Sequence, residues 1–224
     1  IYCFEHYKDP SKKMPLELAQ SIILKEIEEI EKSEINDAIK IDLFGGEPLF
    51  NFSFIKEFCE WFWSLNIKIP HIIYATTNGT LLDKTKQEWF RQHKDDFVLV
   101  MSVDGDSAMQ LENRGCTMER LPIEFAYELW PDQAFKMTIS SNTLPHLSEG
   151  VISLLQKGYL VESRLAQGET WKSGDEVIYK RELNQIANFY LQNPEYHPGA
   201  LFTRYYGDIL HDKTPLKFCG TGTN

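Results

Sequence analysis

Residues 41–48 read Ile-Asp-Leu-Phe-Gly-Gly-Glu-Pro. They complete an apolar, β-prone segment that begins at Ala38 and runs to Phe44. The two glycines allow a ligand to approach the backbone where a Cβ atom would collide, and the proline makes the exit from the turn rigid. Glu47 therefore stands at the carboxyl end of a predicted strand, which is where α/β folds bind their ligands.

Composition and charge set the class of protein. The 224 residues are 42% hydrophobic, which is enough for one sizeable core in one domain. Acidic residues outnumber basic ones by 33 to 23, and a net charge of −10 argues against a nucleic-acid partner. No apolar run approaches the ~20 residues that span a bilayer, so no membrane partner is expected. The four cysteines are widely spaced, which favours a reducing, cytoplasmic compartment over a disulfide framework.

Strand and helix patterns alternate along the chain. Strands are predicted at 39–44, 71–77, 97–103, 134–140 and 159–166. Helices are predicted at 14–34, 51–65, 83–94, 121–130, 145–157 and 175–192. Strands separated by helices pair in parallel through right-handed crossovers, and no Rossmann or Walker glycine motif is present. A complete or partial (β/α) barrel is therefore predicted.

Polar motifs follow each predicted strand at the same end. They occupy residues 45–48, 76–80, 102–105, 140–142 and 165–168. One such motif is explained by turn residues that adopt positive φ. Five in succession favour a binding face, because the carboxyl ends of parallel barrel strands form one surface.

The amino terminus adds a second pattern, Tyr2-Cys3. A cysteine directly after an aromatic residue, followed further along by a strand and Gly-Gly-Glu-Pro, resembles the radical S-adenosylmethionine (radical SAM) enzymes. Their cluster motif is C-x-x-x-C-x-aromatic-C, and Ile1, Tyr2 and Cys3 match its last three positions. The resemblance implies an α/β fold, a partial (β/α)6 TIM-like barrel with five visible strands and the first one upstream. It implies a barrel domain over residues 1–200 and, over 201–224, a connection into an auxiliary iron–sulfur (SPASM-like) domain.

The resemblance also implies roles for individual residues. Cys3 is expected to be one of three thiolates that bind a four-iron four-sulfur cluster with one open iron for SAM, and Tyr2 is expected beside the adenine. Glu47 and backbone carbonyls are expected to accept hydrogen bonds from the methionine amino group. The segment that carries this role consists of Gly45, Gly46, Glu47 and Pro48.

Further SAM contacts are implied downstream. Ser102 and Asp104 match the family's Ser-x-Asp-Gly, which contacts the ribose and methionine parts of SAM. Arg114, expected in a loop, occupies the place of an arginine that pairs with the SAM carboxylate, and its alternative is an ordinary surface arginine. Asn78 either lines the site or makes the turn. Leu165 is a weaker candidate for an apolar contact to adenine.

The remaining cysteines differ in setting. Cys59 lies in a predicted helix and is interpreted as a buried free cysteine. Cys116, in a loop near the predicted active face, is interpreted as structural, with a reactive thiol as the alternative. Cys219 begins Cys-Gly-Thr-Gly, which resembles the start of the auxiliary-cluster domain and implies a ligand of a second cluster. A free terminal cysteine is its alternative.

The activity that the resemblance implies is radical chemistry on a peptide or protein. A low-potential electron donor reduces the cluster, SAM is cleaved to a 5′-deoxyadenosyl radical, and this radical abstracts a hydrogen atom from the substrate. The outcomes in such enzymes are crosslinks, thioethers, epimerisation or side-chain oxidation. Two other functions stay open: a non-catalytic peptide-binding barrel, and a barrel enzyme of small-metabolite chemistry that uses Glu47 and Asp104 as acid and base.

Overall fold

The computed structural model describes residues 12–32 and 38–203. Their strands are β1 (Ile39–Asp42), β2 (His71–Thr77), β3 (Phe97–Met101), β4 (Phe135–Ile139) and β5 (Val161–Leu165). Their α-helices are α1 (Leu16–Lys32), α2 (Phe52–Ser64), α3 (Lys84–Gln92), α4 (Ser107–Arg114), α5 (Ile123–Leu129), α6 (Leu147–Gln156), α7 (Asp175–Gln192) and α8 (Ala200–Thr203). No helix within these residues is long and apolar enough to cross a membrane.

The strands pair in parallel and in chain order. β1, β2 and β3 form one ladder, and β4 and β5 form a second. A parallel bridge between Ser102 and Lys136 joins the two ladders, and the Val103 N–H donates to the Lys136 carbonyl at 2.9 Å. This arrangement confirms the predicted α/β class and the partial TIM-like barrel, because helices connect successive parallel strands. The predicted strand upstream of Ile1 remains a prediction.

The element pattern of the sequence is largely confirmed, with one correction. The helix α4 was not predicted at all, although Asp106 caps its start and Gly115, at φ +70°, ends it. Asp83 caps α3, accepting from the Lys86 N–H at 3.0 Å. Ser148 lies in the first turn of α6 and donates its hydroxyl to Glu182 at 2.6 Å, which ties α6 to α7.

The core lies between the sheet and the helices. Successive strand residues point to opposite faces, and the face toward the helices carries the buried set Ile41, Ile73, Ala75, Leu99, Met101, Met137, Ile139 and Val161. Helix aromatics pack on it, and Phe58 and Phe62 on α2 are buried. Cys59 is also buried, and burial, followed by the charge of Glu60, raises the pKa of its thiol to about 12. A thiol with this pKa is unreactive at neutral pH.

The opposite face of the strands carries most of their polar side chains. We call it the inner face; β3 contributes the apolar Val98 and Val100 to it, and its polar members are Lys40, Asp42, Tyr74, Thr76, Lys136, Glu162 and Arg164. These side chains are half-buried or exposed, in contrast to the buried helix side. In a (β/α) barrel the face away from the helices is the one that lines the interior. The fold therefore places a charged surface inside the barrel and binding loops at its carboxyl end.

Candidate functional site

Residues 45–48 form a loop that Glu47 fastens to the end of β2. Its Oε1 accepts from the Thr77 hydroxyl at 2.7 Å and from the Leu49 N–H at 3.1 Å, and its Oε2 accepts from the Asn78 N–H at 2.9 Å. Pro48 begins a short 3₁₀ helix, Pro48–Asn51, which Glu47 caps. A carboxylate has about four acceptor positions, so Glu47 retains capacity for one more donor.

The two glycines of this loop face open space. A Cβ atom added to Gly45 or to Gly46 would meet nothing within 4 Å, and neither residue has a φ in the left-handed region. Neither backbone geometry nor packing among the described residues therefore requires glycine at these positions. The space that they leave free fits a ligand that approaches the backbone closely.

Asn78 makes the turn after β2. Its Oδ1 accepts from the Thr80 N–H at 2.9 Å and from the Thr80 hydroxyl at 2.7 Å. Gly79 follows with φ +78°, and its N–H donates to the Thr77 hydroxyl at 3.0 Å. The turn interpretation of Asn78 is thus realised, and the Asn78 N–H also holds Glu47 in place.

Ser102 directly follows β3 and lies between β2 and β4. Its N–H donates to the Thr77 carbonyl at 2.9 Å at the end of β2, and it pairs with Lys136 on β4. Its side chain is buried at 7% exposure. The carboxyl ends of β2 and β3 are therefore tied to each other and to the beginning of β4, and the loop that follows β1 is bonded to the same end of β2.

Asp104 and Arg114 form a buried ion pair between β3 and α4. The Arg114 guanidinium donates from Nε to Oδ2 at 2.7 Å and from Nη2 to Oδ1 at 3.1 Å, and the Thr138 N–H on β4 donates to Oδ1 at 2.8 Å. The Asp104 side chain has no exposed surface, and that of Arg114 is 18% exposed. Arg114 was expected in a loop, but it is the last residue of α4, because Gly115 ends the helix there. Any role of Arg114, as a SAM ligand or as a surface arginine, therefore has to be compatible with its ion pair with Asp104.

A polar network that was not predicted fastens α4 to the strand ends. Gln110 accepts from the Asp104 N–H at 2.7 Å, and Asn113 donates to the Thr138 carbonyl at 2.9 Å. The Ser140 hydroxyl donates to the Asn113 Oδ1 at 2.7 Å. The signal for this helix was present in the sequence, since Asp106 and Gly115 have the typical spacing of an N-cap and a C-terminal glycine.

The other predicted site residues lie apart from this network or outside the described residues. Leu165 ends β5 and is 37% exposed, so its side chain is available for an apolar contact. Cys116, near the end of α4, is half-buried, with its Sγ 3.7 Å from the Gln110 Nε2. Tyr2, Cys3 and Cys219 lie outside the described residues. Within residues 12–32 and 38–203, no group of three His, Cys, Asp or Glu side chains could hold a metal ion.

Comparisons with known proteins find similarity in structure alone. No family model matches the chain, and no curated protein is significantly similar to it. Native anSMEcpe with bound AdoMet and Kp18Cys peptide superposes with a TM-score of 0.73 at 19% identity, over 95% of this chain and 62% of that one. Native anSMEcpe with bound AdoMet alone gives 0.73 at 20% identity, over 95% and 63%. The chain thus spans less than two thirds of the length of these structures.

The similarity bears on the fold. anSMEcpe is an anaerobic sulfatase-maturating enzyme of the radical SAM type. At this level of identity the shared feature is the backbone arrangement of parallel strands and connecting helices. The chain therefore shares the partial (β/α) barrel fold of these structures.

Proposed function

We propose that this chain is the barrel of a radical SAM enzyme that cleaves SAM reductively and modifies a peptide or protein substrate. The observation that carries the proposal is the open loop at Gly45 and Gly46, which Glu47 fastens to the end of β2. This loop lies at the carboxyl end of a barrel whose fold is shared with structures that contain AdoMet.

In this proposal SAM binds along the strand ends. The backbone of Gly45, Gly46 and Pro48 approaches the methionine part, and the remaining acceptor position of Glu47 takes its ammonium group. Ser102 faces the ribose and methionine parts, and Leu165 offers an apolar contact to the adenine. Asp104 is fully buried, so it acts by holding Arg114 and β4 rather than through an exposed surface of its own.

The iron–sulfur cluster is proposed to lie next to the same loop. Cys3 would be one thiolate ligand, and Tyr2 would lie beside the adenine; the other two ligands are expected upstream of Ile1. Lys13, ten positions after Cys3, lies close to this loop, since its Nζ is 5.9 Å from the centroid of the Phe50 ring. When bound, the cluster supplies the electron for reductive cleavage of SAM. The role of this chain is to orient SAM and to keep water out.

The substrate class is proposed from the structural neighbour and from the expected downstream domain. anSMEcpe was solved with a bound peptide, which favours a peptide or protein substrate for this fold. Cys219 would begin an auxiliary-cluster (SPASM-like) domain over residues 201–224 and beyond, after the barrel domain of residues 1–200. A low-potential electron donor and a cytoplasmic location complete the proposal, and the free thiols Cys59 and Cys116 agree with a reducing compartment.

The alternative as a small-metabolite enzyme is disfavoured by the geometry. It requires Glu47 and Asp104 to act as acid and base on one substrate. Asp104 has no exposed surface, and its carboxylate already binds Arg114 and the Thr138 N–H. A buried carboxylate in a bidentate ion pair cannot exchange protons with a substrate without breaking that pair.

The decisive experiment is anaerobic reconstitution of the complete protein with iron and sulfide. We expect 5′-deoxyadenosine to form when SAM and a reductant are added, and Cys3→Ala to abolish both the cluster and this product. Cys116→Ala is the matched control and should retain both. Full product formation by Cys3→Ala would refute the proposal, and a wild-type protein that forms no cluster or product would be the non-catalytic scaffold.

A further inference from the structure

The inner face carries more positive than negative charge. Its cations are Lys40, Lys136 and Arg164, and its carboxylates are Asp42 and Glu162. All five side chains are on the face of the strands that lines the interior of the barrel. Charges at partly buried positions are screened less than those at the surface, so the pairing of each group matters.

One of the two carboxylates is ion-paired. Arg164 donates to Glu162, with its Nε 3.1 Å from Oε1. Asp42 lies beside Tyr74 instead; burial first, and the neighbouring Asp42 carboxylate second, raise the pKa of Tyr74 to about 12. Lys40 stacks over the Tyr74 ring, with its Nζ 4.9 Å from the ring centroid.

Lys136 is the most buried of these cations, since Lys40 and Arg164 are exposed, and its Nζ lies 5.9 Å from the centroid of the Tyr74 ring. Its side chain is half-buried and crosses β3 to donate to the Thr76 hydroxyl on β2 at 2.9 Å. Within the described part of the chain, no carboxylate lies within 4.0 Å of its Nζ. Burial lowers the pKa of Lys136, although Asp42 and Glu162 act in the opposite direction. An ammonium has three donors, and the protein hydrogen bond to Thr76 uses one of them.

A half-buried ammonium that has no carboxylate in contact among the described residues is costly, and the cost is recovered when an anion binds. On the basis of the function proposed above, we propose that Lys136 is a ligand-binding residue on the inner face that pairs with a carboxylate of the bound ligand. Two sources share this chemistry: the methionine carboxylate of SAM and an acidic side chain of the peptide substrate. A lysine is a point charge with rotatable donors, which suits a single carboxylate oxygen.

The test uses the complete reconstituted protein, Lys136→Met and the charge-preserving Lys136→Arg. Four probes are titrated by calorimetry and by NMR saturation transfer. They are SAM, decarboxylated SAM, acetyl-Ala-Ala-Glu-Ala-Ala-amide and its glutamine counterpart. We expect Lys136→Met to bind one of the two carboxylate probes about tenfold more weakly than wild type and its neutral counterpart equally well. The affected pair identifies the source of the carboxylate, and Lys136→Arg should retain most of the affinity.

Two results would overturn the assignment. In the first, Lys136→Met binds all four probes as the wild type does. In the second, it weakens charged and neutral probes alike, which indicates a structural role. Lys25→Met, on the exposed side of α1, is the control for a general change of charge. If the wild type binds neither form of SAM, the proposed function itself fails, whereas the peptide pair still tests Lys136.

Discussion

At the scale of single residues, glycine occurs in this chain for two different reasons. Gly105 has φ +87°, and a Cβ atom there would lie 2.5 Å from the Met109 sulfur, so the fold itself requires glycine. Gly45 and Gly46 have neither constraint. Glycine thus meets a requirement of the fold at Gly105, whereas at Gly45 and Gly46 no such requirement arises among the described residues, and there we propose that it leaves space for SAM.

The substitution Gly45→Ala tests whether glycine is needed for the fold or for ligand binding. We expect it to leave the free energy of unfolding unchanged or to raise it by up to ~1 kcal/mol, because alanine restricts the unfolded chain and its Cβ meets nothing within 4 Å in the described part of the folded one. We expect SAM affinity, measured by calorimetry on the reconstituted protein, to fall by about tenfold or more. Gly105→Ala is the contrasting variant and should lower the melting temperature. Unchanged SAM affinity in Gly45→Ala would place the ligand elsewhere.

At the scale of elements, α4 is fastened to the sheet by polar contacts. Arg114 and Asn113, both in its last turn, reach Asp104 after β3 and Thr138 on β4. Since Asp104 is fully buried, its charge depends on Arg114 and on the N–H groups around it. The helix therefore fixes the ends of two strands that border the proposed SAM site.

Removal of the guanidinium should be strongly destabilising. We expect Arg114→Met to lower the free energy of unfolding by about 3–5 kcal/mol, because it removes the guanidinium that pairs with a buried carboxylate through two hydrogen bonds. Urea unfolding of both single variants and of the Asp104→Asn, Arg114→Met double variant measures the coupling, and the double variant should recover part of the loss. Lys25→Met breaks an exposed pair with Glu29 and should change stability by less than ~1 kcal/mol. If Arg114→Met and Lys25→Met had equally small effects on stability, a structural role for the buried pair would be contradicted.

At the scale of the whole molecule, aromatic side chains join the helices to the sheet. Phe90 on α3 is fully buried and contacts the rings of Phe52 on α2, Phe97 on β3 and Trp130 after α5. The ring centroids are 5.2 to 6.2 Å apart, the range of favourable aromatic packing. The strands and helices of consecutive β/α units therefore pack into one core.

Truncation of this ring should destabilise the barrel as a unit. We expect Phe90→Ala to cost about 3–5 kcal/mol, since it removes apolar contacts and leaves a cavity. Leu191→Ala, at a side chain that is 82% exposed on α7, should change stability by less than ~0.5 kcal/mol. Denaturant unfolding followed by both tryptophan fluorescence and circular dichroism should show coincident transitions. Separate transitions in the wild type would show that the barrel units unfold independently.

The sequence by itself determined the alternation of strands and helices, the parallel pairing and the end of the sheet at which polar groups gather. These features are local, because apolar periodicity and turn residues act over a few positions. The loop at Gly45 to Pro48 and the turn at Asn78 were found for the same reason. The helix α4 was missed, although its caps are also local, because it is short and its apolar stripe is weak.

Only the tertiary structure decided which polar groups meet. Lys136 bonds to Thr76 and Glu47 bonds to Thr77, partners that are 60 and 30 positions apart along the chain. It also showed that Asp104 is paired and buried and that the Cβ side of Gly45 and Gly46 is open. Such facts depend on the curvature and register of the whole sheet, which bring distant side chains together and which no local pattern of residues encodes.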